Sequence, residues 1–390
     1  MITNFAPLRT ICLSLVLTVL FVAYVWCGMS VAAIASVRSQ FRLPGIATGQ
    51  TKLPKISKDA ISRAIWAAPI NQSVFNAHIV MRANENSRSD VRASLMLLRK
   101  LGWRDPTSVQ NMISNALVTQ DLSDIAIAGD ALLRQDVLVE EATGLMVLLE
   151  AYPETWAGIE TRLASNVPWR YRYLERAGSL ATDEQLDGRL KTLVALQRRG
   201  DRLQRQEVAP FVTLMVDKGR IAQSRALWLN HTGVKPDVLL DSDFVAAQKQ
   251  SLLALPTTPF EWSFNGGLGF VADVATDGLN KARVAIQWDG RGVPVLMTQQ
   301  TGAGPRRYRL HVRVDGEPIN FSRTIGFRLR CGVETVGFSD GIIVGSDLVL
   351  TMHDKISCSF PTLDIFGKLQ EPRRAVDVAF VSVRMEAVSE

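Results

Sequence analysis

The stretch Gly337-Phe338-Ser339-Asp340-Gly341 has the G-x-S-x-G spacing of a serine nucleophile, with His353 and Asp354 downstream. Such a nucleophile needs a strand, a sharp turn and a helix in an α/β sheet. Here alternating apolar residues lie on both sides, so strands flank the motif and Ser-Asp-Gly is turn chemistry. His78, His231, His311 and His353 fall in different elements without ligand spacing, which argues against zinc. Asn265-Gly266-Gly267-Leu268-Gly269 is glycine-rich but opens no helix, so it does not cradle a phosphate. Asp241 and Asp243, with Asp377 on the last strand, are candidate oxygen ligands for calcium if the first and last strands are neighbours. Glu261 and Asp273 are a candidate glycosidase pair whose separation no spacing determines. Solvated edge carboxylates are the plainer reading of the three aspartates Asp241, Asp243 and Asp377. No catalytic residue is assigned, and the expectation is a protein that is not an enzyme and needs no cofactor other than calcium.

The elements that carry these residues follow from hydropathy. Ile11 to Val37 is an apolar run with no charge between Arg9 and Arg38, longer than the roughly 20 residues that cross a bilayer as a helix. An uncleaved anchor fits that length. A signal peptide cleaved after Ala33-Ile34-Ala35 is the alternative. Arg9 and the amino terminus precede the run and Arg38, Arg42, Lys52 and Lys55 follow it, so charge favours neither orientation. Residues 1–10 form a tail, and 38–56, with Pro44, Gly45, Gly49 and Pro54, form a linker.

From 57 to 233 the period is helical. Ser57, Ser89, Asp121 and Pro153 are helix-start residue types followed by acidic residues, which suits the positive end of a helix dipole. They recur at about 32 residues, close to the 34 of tetratricopeptide helix pairs. Second helices are expected from near Asn71, Pro106, Val137 and Pro168, and further ones over Gln185–Gln197, Gln206–Asp217 and Ile221–Leu229. Stripes at Leu95, Leu98 and Leu101 and at Leu145, Leu148 and Leu149 supply buried faces. Stacked pairs of this kind form an α-solenoid and usually present a groove to a partner protein. Trp156, Trp169, Tyr171 and Tyr173 are expected in its core.

From 234 to 390 the period becomes two. Phe260, Trp262 and Phe264 alternate, as do Val284, Ile286 and Trp288, then Tyr308, Leu310, Val312 and Val314, then Val376, Val378, Phe380 and, after a slip, Val383. With turn formers between them, eight or nine short strands predict an antiparallel β-sandwich or jelly roll with Trp288 inward. Cys331 and Cys358 are the two cysteines beyond the apolar run. They are either a disulfide or a pair of buried thiols, and a disulfide favours a compartment outside the reducing cytosol.

The chain has 390 residues, 21% of them charged, and a net charge of +6. Its basic clusters, such as Arg198-Arg199 and Arg306-Arg307, are short and are not interleaved with aromatics, so no nucleic-acid partner is expected.

Several segments together resemble a bacterial family. In the helical part these are Trp103-Arg104-Asp105-Pro106-Thr107, Gly129-Asp130-Ala131-Leu132-Leu133-Arg134 and Gly219-Arg220-Ile221-Ala222-Gln223-Ser224-Arg225-Ala226-Leu227-Trp228. In the β part they are Asp243-Phe244, Pro259-Phe260-Glu261-Trp262 and the Cys331/Cys358 pair. The chain resembles single-pass inner-membrane proteins that join a tetratricopeptide-like body to a carbohydrate-binding-module-like jelly roll and are associated with exopolysaccharide production. The resemblance implies a bacterial inner-membrane protein with its body in the periplasm. It further implies polysaccharide synthesis or export proteins as partners, and glycan as a ligand of the jelly roll. Trp262, Phe264 and Phe338 are the candidate sugar-stacking aromatics. The expected function is a non-enzymatic scaffold. The alternatives are a polysaccharide-modifying enzyme using β-domain carboxylates, and a structural interaction subunit that binds no glycan.

Overall fold

The computed structural model describes residues 58–67, 105–277, 279–315, 323–339, 341–369 and 372–388, with Phe321 and several positions between 74 and 100. The apolar run 11–37 and the linker lie outside the described residues. Among the described residues no helix is long and apolar enough to cross a membrane. Helices precede two antiparallel sheets, and the chain separates into compact units Met1–Leu149 and Glu150–Glu390. The second unit therefore includes both sheets and the last helices.

In the first unit the described helices are α1 (Lys58–Ala67), α2 (Pro106–Thr119), α3 (Leu122–Arg134) and α4 (Val139–Leu149). Asp105 caps α2 by accepting from the Ser108 amide at 3.0 Å, with Pro106 at the first helical position, where no amide proton is needed. Asn76 donates to the same carboxylate at 2.6 Å, and so ties an earlier helical turn to the cap. Asp121 caps α3 in the same way through Asp124 N. In α4 the buried face is Ala142, Thr143, Met146, Val147 and Leu149, whereas Leu148 points outward. The expected leucine stripe is thus displaced by about one position. The Leu95, Leu98 and Leu101 stripe lies outside the described residues.

In the second unit α5 (Pro153–Ala164), α6 (Arg170–Glu175), a 3₁₀ turn (Arg176–Ser179), α7 (Asp183–Arg198), α8 (Arg205–Asp217) and α9 (Ile221–Thr232) pack on one another. A reciprocal capping box between Thr182 and Gln185 opens α7. Trp169 and Tyr173 lie in the core, while Tyr171 is largely exposed. Gly188 admits no side chain: a Cβ there would fall 2.2 Å from the Glu150 carbonyl oxygen. A further helix, α10 (Val245–Leu253), stands where only strands were expected.

The five-stranded sheet runs β1 (Ser263–Phe264), β5 (Val295–Gln300), β11 (Thr362–Gly367), β7 (Ile325–Cys331), β8 (Glu334–Gly337). The seven-stranded sheet runs β2 (Gly266–Gly267), β3 (Phe270–Thr276), β4 (Ala282–Trp288), β12 (Val376–Ala387), β6 (Tyr308–Asp315), β10 (Asp347–Thr351), β9 (Ile342–Val344). One apolar core takes side chains from both, including Val284, Ile286 and Trp288 from β4 and Leu363 and Ile365 from β11. The slip in the last alternating run is a register shift between Phe380 and Ser382, which returns Val383 to the core. Cys331 at the end of β7 is joined to Cys358 in a disulfide, with Cα atoms 6.3 Å apart.

Within this unit, arginines join the last helices to the segments that lead into and out of the strands. Arg205 of α8 donates to the Pro256 carbonyl at 2.7 Å, pairs with Glu261 and lies 4.8 Å from the centre of the Trp228 ring. Arg225 of α9 donates to the Asp237 carbonyl and lies against Gly302, where a Cβ would fall 2.4 Å from its guanidinium.

Candidate functional site

Alternation along β11 sends Leu363 and Ile365 into the core and Thr362, Asp364 and Phe366 to the opposite, outer face. Register then brings the neighbouring strands alongside. Thr362 lies between Gln300 and Arg330, Asp364 between Thr298 and Arg328, and Phe366 beside Gly326. Thr335 and Gly337 of β8 continue the first two rows beyond Arg330 and Arg328. Asp364 has no exposed surface, although it sits on the outer face. Two guanidiniums and a hydroxyl cover it. Arg328 Nε and Arg330 Nε each donate to Asp364 Oδ2 at 3.1 Å, and Thr298 Oγ1 donates to Oδ1 at 3.1 Å.

Phe366 supports this cluster from one side, with the Arg328 guanidinium 4.7 Å from its ring centre. The ring lies flat because residue 326 is glycine; a Cβ there would come within 2.5 Å of Phe366 Cζ. The bond to Asp364 is the first cause that holds the Arg330 guanidinium more firmly protonated than an isolated arginine. The outcome is a polar row carrying two positive charges against one negative, fixed by three strands. Arg328 keeps 29% of its side chain exposed and Arg330 keeps 46%, so both remain open to a ligand.

The candidate residues read from sequence lie elsewhere. Trp262 is fully buried, packs on Phe244 at 5.6 Å and donates Nε1 to the Asp241 carbonyl at 3.0 Å. It therefore offers no stacking surface. The regular strand begins only at Ser263, so the alternation of Phe260, Trp262 and Phe264 does not describe a pleated face. Phe264 pairs with Met297 on the core side of β5, and Phe338, bridged to Met352, also packs against the core. Trp262 belongs to the interior, and Phe264 and Phe338 are half-buried against it, so the three do not form one open platform.

Asp241 accepts from the Ala246 and Ala247 amides at 2.8 Å each, so its carboxylate caps the start of α10. Burial pushes the Asp241 carboxyl upward, and those amides offset only part of the effect. Asp243 and Asp377 are exposed. Among the described residues no group of three or more His, Cys, Asp or Glu is placed to hold a metal, so Asp241, Asp243 and Asp377 do not form the expected calcium cluster. Glu261 is engaged by Arg205 and by Thr258 N and Oγ1 at 3.0 Å, while Asp273 is exposed on β3 opposite Ala285. Ser339 Oγ accepts from the Thr351 amide at 3.2 Å across to β10, so strands flank it and, among the described residues, no helix follows as a nucleophile turn would need.

No protein-family model matches the chain, and no curated protein matches its sequence. The residues that sequence reasoning missed are Arg328, Arg330, Asp364 and Phe366. Their signal was present in Phe327-Arg328-Leu329-Arg330 and Leu363-Asp364-Ile365-Phe366, two alternating runs with polar outward members.

Proposed function

We propose that the chain is a non-enzymatic, membrane-anchored periplasmic scaffold in bacterial exopolysaccharide synthesis or export. The apolar run 11–37 would anchor it. Its helices, read as tetratricopeptide-like pairs, would hold synthesis or export proteins. The two sheets, read as a jelly roll, would contact glycan. The observation that carries the glycan contact is the outer face of the five-stranded sheet, where Gln300, Thr362, Arg328, Arg330 and Phe366 form a polar shelf with one aromatic. A polar polymer suits such a shelf, because the exposed Arg328 and Arg330 present donors in fixed positions. The non-enzymatic reading is supported by Glu261, whose carboxylate is engaged by Arg205 and Thr258 rather than presented beside a second acid.

The test is to pass the full chain, in nonionic detergent, through native gels containing a panel of acidic and neutral polysaccharides, and to assay the same mixtures for reducing ends. Retardation by one or more polymers without new reducing ends is the expected result. Release of reducing ends would overturn the non-enzymatic reading, and unchanged mobility in every gel would remove the glycan contact.

A further inference from the structure

We infer that the outer face of the five-stranded sheet takes an acidic polymer, with Arg328 and Arg330 gripping its carboxylates as a pair of guanidiniums fixed by Asp364. The inference rests on the glycan reading above and names the class of glycan.

The charge balance points to an anion. One buried carboxylate needs one guanidinium for neutrality, and Asp364 holds two. Both arginines use Nε to reach Asp364 Oδ2, and Arg330 Nη2 adds a contact to Oδ1 at 3.4 Å. The terminal nitrogens of Arg328 have no protein partner among the described residues, and the side chain keeps its exposure. A guanidinium held at Nε and open at its Nη edge is the fork that binds a carboxylate through two parallel bonds. Its position is set before any ligand arrives. Asp364 anchors it from below and the Phe366 ring flanks it, so little rotamer freedom remains to be lost on binding.

The same geometry argues against a neutral polymer. A sugar ring stacks on an open aromatic face, but Arg328 lies over the face of Phe366. Thr298 Oγ1 is bonded to Asp364, and Thr362 Oγ1 donates to Gln300 Oε1 at 3.0 Å, so these hydroxyl and amide groups partly satisfy one another. Charge, not stacking, is the strongest feature left for a ligand to use.

The test compares retardation of the full chain in gels of polygalacturonate, a carboxylate polymer, and of dextran, a neutral one. Wild type should be retarded by polygalacturonate and not by dextran, and R328Q/R330Q should lose retention about tenfold or more. The exposed pair R373Q/R374Q removes the same net charge elsewhere and should retain wild-type mobility shifts. R328K/R330K keeps positive charge over Asp364, and so the fold, but lacks the fork. Its retention should still fall, whereas a role confined to neutralising Asp364 would leave it like wild type and overturn the inference. Equal loss in R373Q/R374Q would also overturn it, as bulk charge. Retention by dextran that survives R328Q/R330Q would overturn the acidic class and leave the glycan reading standing. Retention by neither polymer would sink the inference, and if no polymer in the wider panel retards the chain, the glycan reading falls with it.

Discussion

Arg189 donates Nε to Glu150 Oε1 at 2.6 Å, and neither side chain has any exposed surface. Tyr173 also donates its hydroxyl to that oxygen, and the Arg189 guanidinium lies 4.4 Å from the centre of the Tyr173 ring. Burial pushes the Glu150 carboxyl upward, and the Arg189 charge pulls it back only in part. Removing one partner leaves the other charged and buried. Glu150→Ala should therefore cost about 3–5 kcal/mol, read as a lower denaturant midpoint. The double variant E150M/R189M should recover most of that loss, because two apolar side chains carry no desolvation cost. A double variant as unstable as the single one would show that the pair contributes through specific bonds rather than by mutual neutralisation.

Gly326 and Phe366 make a second testable contact. A methyl at 326 would meet the ring at 2.5 Å and force it away from the sheet, taking the support from Arg328. Gly326→Ala should cost about 1–3 kcal/mol by overpacking and should weaken polygalacturonate retention. Denaturant midpoints and gel mobility measured on the same sample would check both. An unchanged midpoint would mean that the ring, half-buried as it is, moves aside freely.

The disulfide closes a loop of 27 residues' separation between β7 and the connection that precedes β11. Chain-entropy reasoning gives about 3–4 kcal/mol for a loop of that length. C331S/C358S should lower the denaturant midpoint by a matching amount, and added reductant should do the same to wild type but not to the variant. Equal sensitivity of both proteins to reductant would place the effect elsewhere.

Asp277 supplies a pH dependence. The Lys281 amide donates to its carboxylate at 2.8 Å and is the first cause that holds it below the usual range, with the Leu279 amide and Arg283 adding to the effect. A depressed carboxyl stabilises the fold above its unfolded value of about 3.9, and that contribution is lost as pH falls through the folded value. Protection of the Lys281 and Leu279 amides, read as exchange relative to the intrinsic rate at each pH, should therefore fall on acidification below about pH 4. In Asp277→Asn that step should disappear. A step of the same size in the variant would assign it to another group.

Much of this architecture could be read from residue types, because local chemistry determined it. Asp105-Pro106 combines a capping acceptor with a proline where no amide is needed, and α2 starts there. Val284, Ile286 and Trp288 alternate and lie inward, and the slip before Val383 is a bulge. The helix Val245–Leu253 was hidden because its capping carboxylate, Asp241, is displaced from the usual position and Phe244 takes a left-handed conformation between them. Trp262 lies inside although its neighbours alternate, because alternation in sequence carries no information on where the pleat begins. The outward members of the shelf's two runs show in their alternation, but the meeting of the runs does not. Arg328 and Arg330 are separated from Asp364 by 36 and 34 positions, and only strand order makes them neighbours.

The pairing of Arg205 with Glu261 bears on how such a chain can be cut or recombined. A boundary drawn where helices give way to strands would leave Glu261 behind as a charged group without its counterion, and would strip Trp228 of the guanidinium that lies over it. The sheets are therefore not an exchangeable cassette. A transplant that keeps these pairs has to start near Glu150, where the second compact unit begins, and must carry the last helices along with the strands.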